Sequence, residues 1–168
     1  MRFAVDAGAS GIAIKARSNV GPITFLTNAM EGWIEADLSD DDVIGGPTAS
    51  LAIQLNTLQS GNSLYDAELL RRIDARRYPT AELLLQDAAQ VRDTSRYQLT
   101  ATLTVHGISR TVDGSVEVAF TDGDHDRLTV TGDQAIDIRD FSLSTPALLM
   151  LKIYPEVRVL LHLEARAS

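Results

Sequence analysis

Leu99-Thr-Ala-Thr-Leu-Thr-Val-His-Gly-Ile-Ser109 is an alternating run that ends in a turn. Leu99, Ala101, Leu103 and Val105 fall on one face of an extended strand, and Thr100, Thr102 and Thr104 on the other. Successive side chains of a strand point to opposite sides, so the run separates an apolar set from a polar one. His106-Gly107 interrupts it, and a two-residue apolar spacing resumes at Val112, Val116, Val118 and Phe120. The pattern predicts a long antiparallel hairpin with one greasy face. Long curled hairpins close into barrels, and a barrel with an apolar lining can hold an apolar ligand.

The flanking chain continues in the same style. Residues 3–6 and 11–17 read as short strands joined by a Gly-rich turn, with Ile12, Ile14 and Ala16 on one face. Gly21-Pro22 marks a break. A longer strand is expected over 28–38, with Met30, Gly32, Ile34 and Ala36 on one side and Trp33 on the other. Asp40 to Asp42 and Gly45-Gly-Pro47 read as an exposed acidic loop, after which Leu51, Ile53 and Leu55 share a face. Residues 81–91 are strand-like, Asp93-Thr-Ser95 and Asp122-Gly-Asp124 are turns, and Leu128 and Val130 continue an alternation toward Ile138. Val157, Val159, Leu161, Leu163 and Ala165 alternate through the last strand. One helix is expected over 63–73: Ser63 and Asp66 have the spacing of a capping box, and Tyr65, Leu69, Leu70 and Ile73 fall on one arc. Arg71 and Arg72 sit in its last turn, where cations offset the helix dipole, and Tyr78-Pro79 ends the segment. Eight to ten strands with one helix, no linker and no repeat favour a single mainly-β domain over 1–168, a closed barrel or a sandwich.

Composition narrows the function classes. A chain of 168 residues with 45% apolar residues and mean hydropathy −0.01 can bury a core without staples. It has no cysteine, which excludes disulfides, thiolate zinc sites and a cysteine nucleophile and fits a reducing compartment. Twenty-three acids against 15 bases give a formal charge of −8. Such a surface repels phosphate backbones and anionic membranes, so neither nucleic acid nor stable membrane insertion is expected. Pro146 to Leu151, cut short by Lys152, is far below the ~20 residues that cross a bilayer. Met1-Arg2 leads straight into a strand without an apolar signal segment, so a soluble cytoplasmic protein is expected.

The search for chemistry returns little. His106, His125 and His162 have no metal-ligand spacing, so no metal is expected. His106 reads as a turn residue, His125 as part of an Asp-rich solvated turn and His162 as a surface position on the polar side of the last strand. No serine lies in a Gly-x-Ser-x-Gly elbow, and Gly8-Ala-Ser-Gly11 lacks the spacing of a phosphate loop. Asp133, Asp137 and Asp140 are the densest remaining carboxylates and read as a solvated exterior. The basic run Arg71, Arg72, Arg76 and Arg77 has two readings. It grips a phosphate or carboxylate headgroup, with Arg71 and Arg72 as the candidates, or it pairs with Asp66, Glu68 and Asp74.

Four segments carry a resemblance. Leu103-Thr-Val-His-Gly-Ile108 is similar to the Leu-Thr-x-His-Gly-x signature of the YceI-like family. Gly61-Asn-Ser-Leu-Tyr-Asp-Ala-Glu-Leu69, with Ile73-Asp74 and Tyr78-Pro-Thr80, resembles its helical segment. Phe3-Ala-Val-Asp6 with Ser10 resembles its opening, and Arg139-Asp-Phe141 its Arg-x-Asp-Phe strand end. The chain has Ala9 where the family pattern has His, Glu68 where it often has His, and Ser142 where it has Gly. The resemblance implies an extended eight-stranded antiparallel lipocalin-like β-barrel with one α-helix over an end. It also implies a lumen for a long isoprenoid such as a quinone or prenyl-phosphate tail, and a homodimer. The ligand-binding candidates are Phe25, Leu69, Ile73, Leu103, Phe120 and Phe141. Three readings then stand side by side: a lipid-binding barrel without cofactor beyond a bound isoprenoid, a barrel filled by its own side chains that serves structure or protein interaction, and a lipid- or quinone-modifying enzyme. The absence of a nucleophile–base constellation disfavours the last.

Overall fold

Alternation dictates strands, and in the computed structural model nearly every alternating segment is one. It describes residues 1–39, 42–121, 124–143, 147–148 and 151–168. The strands are β1 (Arg2–Val5), β2 (Gly11–Ser18), β3 (Gly21–Thr27), β4 (Met30–Ser39), β5 (Asp42–Gln54), β6 (Thr80–Gln90), β7 (Arg96–Val105), β8 (Ile108–Thr121), β9 (Asp124–Asp137), β10 (Ala147–Leu148) and β11 (Leu151–Ala167). The one α-helix among the described residues, α1 (Ser63–Arg72), lies between β5 and β6. All described pairings are antiparallel and follow the order β3-β2-β11-β9-β8-β7-β6-β5-β4-β1, and β1 then returns to β11. β1 and β2 both lie along β11, while β4 and β3 follow on β1 and β2. The two pairs therefore act as two interrupted staves, which closes an eight-stranded barrel.

The interruption between β1 and β2 is stitched to the wall. Asp6 accepts from Gly8 N at 3.1 Å, and the Ser10 hydroxyl donates to Asp6 O at 2.6 Å while accepting from Glu164 N at 3.0 Å. Inside, Phe3, Ile12, Phe25, Met30, Leu51, Leu128, Phe141 and Leu163 belong to one continuous buried cluster.

Several local expectations change. Gly21-Pro22 does not break the chain but opens β3, where a proline at the start of a strand costs no ladder bond. Gly45 to Pro47 are not a loop: β5 runs through them, and the β4–β5 register slips there, opposite Ala36. Glycine and a proline without an N–H are the residues that such a bulge tolerates. The 51–55 alternation stops at Gln54, because residues 55–57 form a 3₁₀ turn that tucks Leu55 inside. Helix α1 is capped by Asn62, one residue before the expected cap: its side chain accepts from Leu64 N at 3.0 Å and Tyr65 N at 3.2 Å. Asp66 instead accepts from Ser60 N and the Ser60 hydroxyl. Asp40 and Asp41, Asp122 and Gly123, part of the 146–151 stretch and the side chain of His125 lie outside the described residues.

Candidate functional site

Because β7 shows one face to the lumen, Leu103 and Val105 meet the inward residues of β2, β9 and β11 beneath helix α1. They enclose an apolar chamber of about 180 Å³. Ile12, Ile14, Phe25, Leu69, Ile73, Ala81, Ile136, Phe141 and Val157 contribute to its wall. A second apolar chamber of about 160 Å³ follows it along the same staves, with Leu99 and Ala101 of β7 and Leu161 and Leu163 of β11 on its wall. Apolar cavities of about this size lined by Leu, Ile and Phe stay dry and take apolar guests.

The structure sets five candidates, Phe25, Leu69, Ile73, Leu103 and Phe141, on the wall of the first chamber. Phe120 lies elsewhere, at the opposite end near the turn that joins β6 to β7. Its parity is right, but it lies too far along the β8 stave from the helix. Of the two headgroup candidates, Arg72 lines the chamber with its side chain 24% exposed, whereas Arg71 is 66% exposed and faces outside. Between them lies Glu68, only 10% exposed and on the chamber wall. It accepts from Arg72 Nε at 2.7 Å and from Arg71 through Nε at 3.1 Å and a terminal nitrogen at 2.8 Å. The pairing reading named Glu68 with Asp66 and Asp74 but did not place the carboxylate at the lumen. Its contacts with Arg71 and Arg72 are the i, i+3 and i, i+4 pairs of a helix face.

The Arg71 hydrogen bond, followed by that of Arg72, holds the Glu68 carboxyl below its ordinary value of 4.5. A carboxylate with a lowered folded-state pKa stabilises the fold above its unfolded value, and that contribution fades as pH falls through the folded one. The thermal midpoint of the wild type is therefore expected to exceed that of Glu68→Gln at neutral pH. The gap should close below about pH 4.5, as read by circular dichroism melts across pH. A gap constant down to pH 3 would contradict this.

The other polar candidates lie outside the lumen. Asp133 pairs with Arg158 at 2.9 Å and Asp137 with Arg139 at 2.6 Å. The Arg139 side chain, then its backbone N–H, holds the Asp137 carboxyl below its usual range. His162 faces Glu164 at 3.1 Å on the exterior. His106 occupies the β7–β8 turn at φ 56°, stacks edge-on against Tyr78 at 5.1 Å and lies 3.3 Å from Phe141 O. Among the described residues no cluster suited to a metal ion occurs, and no helix is long and apolar enough to cross a membrane.

Comparison with known proteins places this architecture. The family model described as the YceI-like domain matches residues 3–165. No curated protein matches the chain significantly. Among solved structures, Burkholderia cenocepacia BcnA is similar with a TM-score of 0.79 and 20% identity, over 95% of this chain and 98% of that one. A polyisoprenoid binding domain from Saccharophagus degradans, implicated in plant cell wall breakdown, superimposes with a TM-score of 0.77 and 18% identity, over 99% and 98%. The Campylobacter jejuni YCEI protein gives 0.68 and 16%, over 83% and 81%. At these identities the likeness speaks for the fold.

Proposed function

The chain belongs to the YceI-like family, and we propose that it binds a long apolar lipid of the polyisoprenoid or quinone type inside the barrel. The observation that supports this most is the pair of apolar chambers placed end to end along β7 and β11. The charged groups on their walls, Glu68 and Arg72, lie at the α1 end. A lipid lies with its head beside that pair and its tail toward Leu99 and Leu163. Arg72 is the cation placed for the head, and Arg71 acts through Glu68.

Size sets a condition on affinity. Hydrocarbon removed from water is worth about 2.5 kcal/mol per 100 Å², and association costs about 4–15 kcal/mol. A guest confined to one chamber gains little, so tight binding requires a chain that reaches both. The reading is one of binding and sequestration rather than catalysis: the one carboxylate on the chamber walls among the described residues is already held by two guanidinium groups. A homodimer working in the cytoplasm is part of the same proposal.

Native mass spectrometry of the purified protein, with thermal shift in geranylgeraniol, tests it. At about 100 times Kd a ligand adds ~2.7 kcal/mol, a rise of roughly 5–10 °C for a chain of this size. Ala81→Phe, which fills the first chamber from its wall, should remove the shift. A uniformly unliganded mass with no shift would favour a barrel filled by its own side chains, and turnover of the lipid would favour an enzyme.

A further inference from the structure

The barrel wall is not continuous beside the first chamber. The β8–β9 ladder runs from Thr121↔Asp124, across a register slip, through Phe120↔Leu128 to Val116↔Gly132 and stops there. Both strands nevertheless continue: β8 stays paired with β7 as far as Ile108, and β9 with β11 as far as Asp137. A seam therefore separates residues 108–115 from 133–137. Its first step is bridged by a side chain, since a Cβ built on Gly114 would lie 3.0 Å from Gln134 Oε1. Ser109, Thr111 and Asp113 along this stretch of β8 are exposed.

The rest of the seam is crossed by the 3₁₀ turn Ile138–Phe141, which leaves β9 directly and reaches the tip of the β7–β8 hairpin. Its carbonyls are gripped there. Arg110 Nε donates to Asp140 O at 2.9 Å, and His106 Nδ1 lies 3.3 Å from Phe141 O. Arg139 is turned back on Asp137, which accepts from both its backbone N–H and its guanidinium. Phe141 projects inward, 2% exposed, and together with Ile138 and Leu143 supplies wall to the chamber. At the far end of the turn Ser142 sits at φ 56°, in the left-handed region. A short turn with an aromatic plug, two capped ends and two side-chain latches covers the unladdered stretch of wall beside the first chamber. Another unladdered stretch, between 42–49 of β5 and 85–90 of β6, borders the second chamber and has no such turn across it among the described residues.

We infer that the Ile138–Phe141 turn is a lateral gate. An apolar ligand passes between β8 and β9 when the turn swings away from Arg110 and His106, and not past helix α1. This rests on the lipid-binding reading above and adds a route to it. Arg110 is a positioning residue: it does not line the chamber, so it governs rates and leaves affinity alone.

Stopped-flow fluorescence with cis-parinaric acid, a linear polyene fatty acid, separates the two routes. Arg110→Ala should raise association and dissociation rates together by about tenfold, because a hydrogen bond from a charged donor is lost only in the closed state. Kd should stay within about twofold of the wild type. Asn62→Ala, which uncaps α1, should leave both rates unchanged. The reverse result, fast exchange in Asn62→Ala and none in Arg110→Ala, overturns the gate. Hydrogen exchange without ligand is an independent test. The amides of Ser142 and Leu143, which donate within the turn to Arg139 O and Ile138 O, should exchange faster in Arg110→Ala while Val118 and Val130 do not change. If the turn amides are as slow as those strands in both proteins, the gate is wrong. Should the wild type bind no probe, the lipid reading fails, and hydrogen exchange alone decides whether the turn opens.

Discussion

Gly32→Ala is expected to destabilise the barrel by about 3 kcal/mol or more, above the 1–3 kcal/mol usual for overpacking. A Cβ built on Gly32 runs into the carbonyl oxygen of Ser50 and lies 3.1 Å from the Leu51 Cα. Both obstacles are backbone, so no rotamer change relieves the clash. β4 and β5 must move apart at the pair Gly32↔Leu51, in the middle of their ladder. Alanine also lowers the entropy of the unfolded chain, which favours folding, but by only about 0.4–1 kcal/mol, so the clash wins. Urea denaturation midpoints read the difference. Gly11→Ala is the matched control, with open space around the added methyl and no positive φ, and it should be neutral or slightly stabilising. Equal behaviour of the two variants would refute the close approach at Gly32.

Phe3→Ala is the second large effect, a loss of about 3–5 kcal/mol, typical for a buried phenylalanine whose site cannot collapse. Phe3 is 0% exposed and sits on β1 between Ala167 of β11 and Ile34 of β4. That strand of four residues is what joins β11 to β4. Little ladder is available there to hold the seam, so side-chain burial carries it. Net stabilities are commonly about 5–15 kcal/mol, and the variant should therefore melt far below the wild type or fail to close. A loss under about 1 kcal/mol would show that β1 is dispensable to the barrel.

The strands were legible because alternation is local. Val157 to Ala165, Leu99 to Val105 and Ile12 to Ala16 each announce an inward face without reference to any partner. The helix was legible from the arc of Tyr65, Leu69 and Ile73, although its cap fell on Asn62 because the Asx side chain, not Ser63, reaches the free N–H groups. Gly45 to Pro47 misled for an instructive reason: the residues that mark loops also mark bulges, and only the neighbouring strand tells which. In the candidate site, parity put Leu103 on the inward face, while Phe25 and Phe141, named for their rings rather than from an alternation, also meet the first chamber. Parity could not separate Phe120 from Leu103, since it says which face a residue takes and nothing about its height along the stave.

Amino-acid order alone decided the mainly-β character, the greasy and polar faces and the helix after β5, because each depends on periods of two or 3.6 residues within one segment. The closure of β1 onto β11 joins residues 160 to 164 positions apart, and no local period encodes it. The same holds for the space left inside. The chambers of about 180 and 160 Å³ are space left between packed inward side chains, and such a remainder depends on many staves at once. The meeting of Glu68 with the lumen and the seam beside Phe141 arise likewise from strand stagger, which is set by long-range packing.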